Sequence, residues 1–461
     1  MLQEFSSVGR DLFGGDADAE VRRQRNTVRT VVLVQGDLLQ NERSETAGLS
    51  ARVIRGGVAG FASVADVSEE SVKAVLDEAH KNALFLDGQV ALGKPRLPAA
   101  PIGSFRMTRE PGDPEQKKYV DFAREVDEYI VKNCPKLVSR RLRFRADCME
   151  KVVTVSGGID AHTYLPRCYL YLFFTANTPD GVPVDLFSVV GGYGSFDTLF
   201  RDPKAIFPEV DLLYGKLLAK AEGIRPEAGM KTCILGGSLT GMLAHEAVGH
   251  TVEADLVLGG SVAGRMLGRT VASPLVSLVD YAHAAFGKPA PLPIYVDDEG
   301  TPAVDAEIIR DGILVGYLNN RDTAVRFGMK PQGNARAYAF SDEPLIRMRN
   351  TAILPGSSRL SDMIASVEDG YYLTDTNNGQ ADTTGEFMFG VSMGYEIKNG
   401  KLGRALLDTT ISGVAFEMLK TVDMISDTVT WSSSGFCGKK QPMPVGLGGP
   451  ELRCRLMMGG R

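Results

Sequence analysis

Two histidines that are five positions apart constrain this chain more than any other feature of its sequence. They are His245 and His250, and Glu246 directly follows the first of them. Apolar residues at helical spacing surround His245 and Ser238 offers an N-cap, so we predict a helix with one face in the core. On a regular helix, however, five positions correspond to about 140° of rotation, which places the two imidazoles on nearly opposite sides.

The two imidazoles can share a metal ion only if the helix is distorted between them. The familiar zinc-peptidase motif HExxH is one residue shorter than the HExxxH of this chain and places both histidines on one face. A single-turn π-bulge would bring residues i and i+5 into line, and such bulges favour functional sites. Alternatively the helix ends early, since Gly249 permits a break just before His250. The competing interpretation is that both histidines are ordinary core or helix-terminal residues, and the motif alone does not exclude it.

A zinc ion that activates water needs a third protein ligand, and the sequence offers several candidates. Glu253 and Asp255 lie close to the motif, and Glu253 is also placed to orient an imidazole N–H. Cys437 lies in a glycine-rich turn beside two lysines, which would favour its thiolate form. Cys454 is the alternative cysteine, although its arginine neighbours indicate an exposed strand near the C-terminus.

The remaining polar candidates are assigned structural roles. His80 is predicted to end a helix, and His162 and His283 lie in loop-like sequence. The acidic run at 297–299 precedes a glycine and predicts a hydrogen-bonded turn, with a smaller prospect of lining a cleft. The other cysteines are expected to be inert, packed thiols.

The pattern of apolar residues changes after His250 and predicts an α+β fold. In residues 1–225, strand-like runs alternate with helical patterns, which indicates an α/β region with a mixed sheet. The strand-like runs include 142–147 and 151–155, and the helical patterns include one that starts after Ser68 and one at 114–132. A Pro/Gly-rich stretch at 93–112 divides this region into two subregions. In residues 226–461, short alternating runs between turn residues predict an antiparallel, barrel-like β domain that carries the HExxxH helix at its start. One helix-like patch remains in this region, at 413–425.

Composition and charge exclude several classes of partner. Lys+Arg number 51 and Asp+Glu 57, a net charge of −6, and no basic cluster with interleaved aromatics stands out, so we expect no nucleic acid partner. No apolar run reaches about 18 residues and no signal-peptide pattern is present, so we predict no membrane association. The six cysteines have no tight spacing, which favours free thiols and a cytoplasmic location.

Several segments that follow one another in a fixed order resemble the TldD branch of the TldD/PmbA family. They are AHEAVGHTVEADLV, GRTVASPLVSLVD, DDEGTP, QGNARAYAF, RMRNTAILPG and GFCGKK…PMPVGLGGP. RVIRGGVAGFASVADVSEESVKAVLDEA is similar to the family's first domain, so the resemblance covers nearly the whole chain. One departure is the turn after the cysteine, where Lys-Gln-Pro follows Lys439 and the family usually has Gly-Gln.

This resemblance implies a zinc-dependent peptidase that hydrolyses bonds in unfolded or flexible peptides, in leader-peptide removal or peptide turnover. It implies that His245, His250 and Cys437 bind Zn2+ and that Glu246 is the catalytic carboxylate. It also implies a dimer that encloses the active site, either a homodimer or a heterodimer with a PmbA (TldE)-like subunit.

Three other functions stay open. The main alternative is a non-catalytic partner or scaffold subunit of such a complex, although the intact motif argues against it. The second is a regulator of DNA gyrase, against which the net charge of −6 speaks. The third is a zinc hydrolase of small amides, which uses the same ligand types.

Overall fold

In the computed structural model, which describes residues 8–13, 18–89, 97, 101–108 and 114–459, the N-terminal half is built on one seven-stranded sheet. Its strands are β1 (Ala19–Val34), β2 (Asp37–Arg55), β3 (Val58–Val64), β4 (Gly103–Arg106), β5 (Ser139–Val155), β6 (Ile159–Asn177) and β7 (Pro183–Tyr193). The order is β3-β2-β1-β5-β6-β4, and β7 also pairs with β6. All pairs are antiparallel except β4 with β6, so the predicted mixed sheet is confirmed.

Helices cover one face of this sheet. They are α1 (Glu69–Asp87), α2 (Gln116–Asn133), α3 (Phe196–Leu199) and α4 (Phe207–Ala221), with single 3-10 turns at Arg10–Phe13 and Pro203–Ile206. The apolar side of α1 packs on β1 and β2, while α2 and α4 pack on β1, β5, β6 and β7. Ser68 caps α1 as predicted, because its side chain accepts the N–H of Ser71 at 3.3 Å.

Within the described residues, the C-terminal half contains two larger sheets and three two-stranded ones, with short connections between many of their strands. Its strands are β8 (Gly229–Leu235), β9 (Leu278–Tyr281), β10 (Ala284–Ala285), β11 (Lys288–Pro289), β12 (Ala306–Arg310), β13 (Ile313–Leu314), β14 (Ala335–Arg336), β15 (Leu345–Ile346), β16 (Asn350–Ile353), β17 (Asp369–Ala381), β18 (Glu386–Lys398), β19 (Lys401–Ala405), β20 (Thr409–Val414), β21 (Met424–Ile425), β22 (Thr430–Ser432), β23 (Phe436–Cys437), β24 (Met443–Pro444), β25 (Gly446–Gly449) and β26 (Leu452–Met458). Its α-helices are α5 (Gly237–Met242), α6 (Ala254–Leu258), α7 (Arg321–Phe327), α8 (Leu360–Ala365) and α9 (Ala415–Lys420).

Five of these strands close into a barrel, which confirms the predicted barrel-like domain. The closed order is β17-β8-β26-β20-β18, with β18 pairing back to β17. One of these pairs, β17 with β8, is parallel, and the others are antiparallel. The second sheet has the order β13-β12-β9-β16-β25-β22. Helix α5 and the segment after it contribute to the apolar core that the two sheets share, through Leu239 and Leu243.

Three element boundaries differ from the sequence prediction. The two predicted strands at 142–147 and 151–155 are one continuous strand, β5, because residues 148–150 between them pair across to both β1 and β6. The helix-like patch at 413–425 is helical only in α9, between β20 and β21. Most of the connector at 93–112 lies outside the described residues, and β4 falls within its described part.

Within the described ranges no helix is long and apolar enough to cross a membrane.

Buried ion pairs join the N-terminal sheet to the C-terminal half. The guanidinium of Arg52 donates to Glu20 Oε1 at 2.8 Å and to Glu299 Oε1 at 2.6 Å. Lys151 Nζ donates to Asp298 Oδ2 at 2.7 Å. Asp297 forms the predicted turn, because it accepts the backbone N–H groups of residues 299 and 301. The acidic run therefore fixes the contact between the two halves of the chain.

Candidate metal centre

The segment after α5 is a π-helix that spans Leu243–Gly249. Its last turn ends with the backbone N–H of His250 bonded to the carbonyl oxygen of His245, a separation of five residues. This geometry confirms the π-bulge that the histidine spacing requires, and it brings both imidazoles to the same side. The alternative of a break at Gly249 is wrong, because Gly249 is helical with φ −56° and ψ −48°.

Two glycines in this region serve close packing. A Cβ on Gly249 would lie 2.0 Å from the Sδ atom of Met348, so the π-helix approaches that side chain as nearly as it can. A Cβ on Gly237 would lie 2.5 Å from the carbonyl oxygen of Gly449. Helix α5 starts at Gly237 after Gly236, so the predicted N-cap at Ser238 is wrong by two residues.

Three potential metal donors converge at the π-helix. The Sγ atom of Cys437 lies 3.2 Å from Nε2 of His250, and one donor atom each from His245, His250 and Cys437 lie within 4.8 Å of one another. In the described part of the chain this is the one group of three or more such residues placed to hold a metal ion. The structure thus brings the three predicted ligands together, with Cys437 arriving from β23.

The donor set fits zinc. Zinc binds mixed histidine and cysteine donors at about 2.0–2.3 Å in tetrahedral geometry, which separates ligand atoms by about 3.5 Å. His245 is 1% exposed, and neither of its ring nitrogens has a hydrogen-bond partner among the described residues. Buried polar atoms without partners are rare in native proteins, and a metal ion at this position would satisfy one of the two nitrogens.

The thiol of Cys437 is ionised by its histidine neighbours. Burial raises the pKa of this thiol, but the adjacent His245 and His250 imidazoles outweigh burial and lower the pKa to about 3. The expectation that the neighbouring lysines favour the thiolate is wrong. Lys439 donates to Asp255 at 2.9 Å, and the groups that lower the pKa of the thiol are the two histidines.

Glu253 orients His250, as the sequence predicted for a residue behind a metal ligand. Its Oε2 atom lies 2.7 Å from Nδ1 of His250 and 3.3 Å from Nζ of Lys439. Burial lowers the pKa of His250, but Glu253 and Cys437 raise it well above its ordinary value. The contact occupies Nδ1, so His250 presents Nε2 to Cys437 and the candidate metal position.

Glu246 lies beside both candidate histidine ligands. Its carboxylate oxygens are 3.9 Å from Nε2 of His245 and 3.7 Å from Nε2 of His250. Its side chain is 23% exposed, in contrast to the buried His245. The carboxylate can therefore reach both the donor group and a molecule that approaches from solvent.

Arg347 holds the turn that carries Cys437, and the sequence analysis missed this role. Its guanidinium donates to the carbonyl oxygens of Cys437, Lys439 and Gln441 at 2.7, 2.9 and 2.8 Å. Arg347 is fully buried. The available signal was an arginine in the apolar, strand-like run at 345–354, where a charge needs several partners.

The structure places the rejected candidates outside this centre. Cys454 is buried on β26 opposite Cys233. The prediction of an exposed strand is wrong, because β26 is a strand of the barrel and pairs with β8 and β20 on its two sides. His162 lies on β6, not in a loop, with Nε2 3.3 Å from Glu150. His80 lies inside α1, which extends to Asp87.

The sequence comparisons identify the family of this chain. A family model described as the PmbA/TldA metallopeptidase C-terminal domain matches residues 228–460, and one for domain 1 matches residues 19–83. A metalloprotease of Methanothermobacter thermautotrophicus is 30% identical over 449 residues, which cover 96% of this chain and 95% of that protein. This chain belongs to the PmbA/TldD metallopeptidase family. A zinc metalloprotease TldD homolog of Saccharolobus solfataricus is 33% identical over 250 residues, or 54% of this chain and 56% of that protein.

Solved structures share the fold of this PmbA/TldD family member. TldE from Thermococcus kodakarensis superposes with a TM-score of 0.77 at 17% identity, and the match covers 98% of each chain. A proposed DNA gyrase modulator from Thermotoga maritima has a TM-score of 0.76 at 19% identity, over 96% of each chain. At these identities the likeness concerns the fold alone.

Proposed function

We propose that this PmbA/TldD family member is a zinc-dependent peptidase, with His245, His250 and Cys437 as metal ligands and Glu246 as the catalytic carboxylate. The observation that carries the proposal is the convergence of the three donors on the side of the π-helix where the Glu246 carboxylate lies. The names of the metalloprotease relatives support it. A merely structural zinc site is closed by four protein ligands, whereas this one leaves a position for water or substrate.

Each residue of the centre has a separate task in peptide hydrolysis. Bound here, zinc would supply a Lewis acid and lower the pKa of a coordinated water. Glu246 accepts a proton from the attacking water and returns it to the leaving amine. Glu253 keeps the His250 ring in one orientation, and Arg347 keeps Cys437 in place through the backbone of its turn.

The proposal extends to the domains, the substrate and the assembly of the protein. Residues 1–225 and 226–461 would form two domains, and the substrate would be an unfolded or flexible peptide. The partner would be a second copy of this chain or a TldE-like subunit, which the shared fold with TldE supports. The cytoplasmic location stays a prediction.

The complete donor set distinguishes this proposal from a scaffold or regulatory subunit. Such a subunit needs neither His245 nor Glu246, and nothing would keep four chemically matched groups together. The likeness to a proposed gyrase modulator lies at the level of the fold. A site of this composition therefore favours hydrolysis.

Metal analysis combined with peptide cleavage tests the assignment. We expect about one zinc per chain in the wild type, and loss of zinc and cleavage in Cys437→Ser and His250→Ala. Cys148→Ser, on the partly buried Cys148 of β5, is the matched control and should keep both. Glu246→Gln should keep zinc and lose cleavage. Wild-type zinc content in both ligand variants, or wild-type turnover in Glu246→Gln, would refute the proposal.

A further inference from the structure

One face of the N-terminal sheet carries a row of arginines beside a row of aromatic rings. On β5, the side chains of Arg141, Arg143 and Arg145 project from the face opposite the helices. Each lies directly across from a ring on β6, and we call the six residues the arginine ladder: Arg141 with Phe173, Arg143 with Tyr171, and Arg145 with Tyr169. The prediction that the chain has no basic cluster with interleaved aromatics is wrong, because the pairing of β5 with β6 creates such a cluster.

The arginine ladder begins at the turn that carries the candidate ligand Cys437. The guanidinium carbon of Arg145 lies 4.9 Å from the centre of the Phe436 ring, and Phe436 directly precedes Cys437. The hydroxyl of Tyr169 donates to the carbonyl oxygen of Ser433 at 2.7 Å. Tyr171 donates to the next carbonyl along, that of Ser434, at 3.1 Å. The ladder therefore extends outward from the metal centre along β5.

Two of the three arginines have no carboxylate partner in the described ranges. Arg145 pairs with Asp147 at 3.1 Å. Arg143 and Arg141 instead lie over the rings of Tyr171 and Phe173, at 5.9 and 3.9 Å. The acidic side chains at positions 37 and 42 of β2 lie one strand further away, on the far side of β1 from β5. Two positive charges thus remain available to a ligand.

The spacing of the ladder matches an extended peptide. Alternate residues of a strand are about 6.8 Å apart, so Arg145 and Arg141 are separated by about 14 Å. A peptide in extended conformation repeats its own side chains at the same interval. We propose that the arginine ladder binds an acidic segment of the substrate, with carboxylates at alternate positions, and so selects acidic peptides for the metal centre. This inference rests on the proposed peptidase function.

A single-stranded nucleic acid also combines repeated negative charge with groups that stack on aromatic rings. The ladder is poorly suited to it, because Arg141 covers the Phe173 ring and Arg143 lies over the Tyr171 ring. The Tyr171 hydroxyl is also taken by Ser434. Carboxylates can pair with the guanidinium groups without displacing these contacts, so an acidic peptide is the better ligand.

The test compares two flexible peptides that are identical except for Asp or Asn at alternate positions. We expect the wild type to favour the Asp peptide in kcat/KM, and the double variant Arg141→Gln, Arg143→Gln to reduce this ratio about three- to tenfold. Zinc content should stay at the wild-type level. The matched control is Arg55→Gln, Arg201→Gln, which removes two exposed arginines outside the ladder and should keep the wild-type ratio.

Peptide binding to a catalytically inactive variant separates this inference from the peptidase proposal. In a Glu246→Gln background, fluorescence anisotropy with the same two peptides should show the same dependence on Arg141 and Arg143. Cleavage of neither peptide by the wild type would refute the peptidase function, while ladder-dependent binding of the Asp peptide would still support the ladder. An equal preference for both peptides overturns the ladder proposal. So does tighter ladder-dependent binding of a single-stranded oligonucleotide, or a ladder-dependent change in oligomeric state on sedimentation, which would identify the ladder as a subunit interface.

Discussion

Replacing Glu253 by glutamine isolates the charge that lies behind His250. The carboxylate is fully buried and contacts His250 Nδ1 at 2.7 Å and Lys439 Nζ at 3.3 Å. Glutamine has the same shape and retains a carbonyl oxygen that accepts the Nδ1 hydrogen. Lys439 keeps Asp255 as its partner. The substitution therefore removes a negative charge and leaves the packing in place.

The expected loss of zinc affinity depends on pH. Groups that orient a metal-bound histidine typically contribute 10–100-fold in affinity, or about 1.4–2.8 kcal/mol. Burial lowers the pKa of His250, but Glu253 and Cys437 raise it well above its ordinary value, so zinc must displace a proton from His250 at neutral pH. Without Glu253 the pKa of His250 falls, and that competition weakens. The deficit of the variant is thus largest at pH values above the wild-type pKa of His250 and shrinks as the pH decreases.

Competition with a chelator at several pH values measures this effect. Calorimetry in buffers of different ionisation enthalpy should show that zinc binding to the wild type releases a proton from His250, because the pKa of this imidazole is raised. The thiol of Cys437, whose pKa is lowered to about 3, contributes no proton at neutral pH. Glu253→Gln should release fewer protons. Asp255→Asn is the control, since Asp255 contacts Lys439 and not His250. Zinc affinity and proton release equal to those of the wild type at every pH would refute the role of Glu253.

Two further substitutions test the π-helix and the contact between the two halves. Gly249→Ala places a Cβ 2.0 Å from the Met348 sulfur and should lower the free energy of unfolding in urea by about 1–3 kcal/mol. The double variant with Met348→Ala should lose less stability than the sum of the two single variants. Strict additivity would contradict this packing. Arg52→Met leaves Glu20 and Glu299 buried without their guanidinium and should cost about 3–5 kcal/mol. Burial raises the pKa of Glu20, so protonation of this carboxyl at lower pH removes part of the uncompensated charge, and the loss should be smaller at pH 5 than at pH 8. A loss independent of pH would argue against the ion pairs.

Much of the N-terminal half followed from local patterns. Helix α1 begins after Ser68 as predicted, because its cap and the spacing of Val72, Val75 and Ala79 are local properties of the chain. Helix α2 agrees with the predicted segment within two residues. The length of β5 did not follow, because residues 148–150 at its middle are paired on both sides with neighbouring strands that the local sequence does not reveal.

The predictions that the structure overturns share one cause, because the burial and the contacts of a side chain depend on neighbours that are distant in sequence. The arginines beside Cys454 indicated exposure, yet a barrel strand can bury Cys454 on one face while Arg453 and Arg455 lie on the other. Lys439 was assigned to the thiolate because it is near in sequence, although its side chain extends to Asp255. The alternation of arginines in β5 is visible in the sequence. Whether that row is covered depends on the tertiary structure, in which the helices pack on the opposite face of the sheet.

The histidine spacing by itself determined that a shared metal site requires a distorted helix, because 3.6 residues per turn cannot align positions five apart. It could not decide between a π-helix and a break. Packing against Met348 and the bond from the His250 N–H to the His245 carbonyl decided for the π-helix. The family resemblance pointed to Cys437, but only the tertiary structure brings its sulfur to within 3.2 Å of a histidine 187 positions away. That contact depends on a turn held by the buried Arg347, whose partners are backbone oxygens and therefore leave no trace in side-chain patterns.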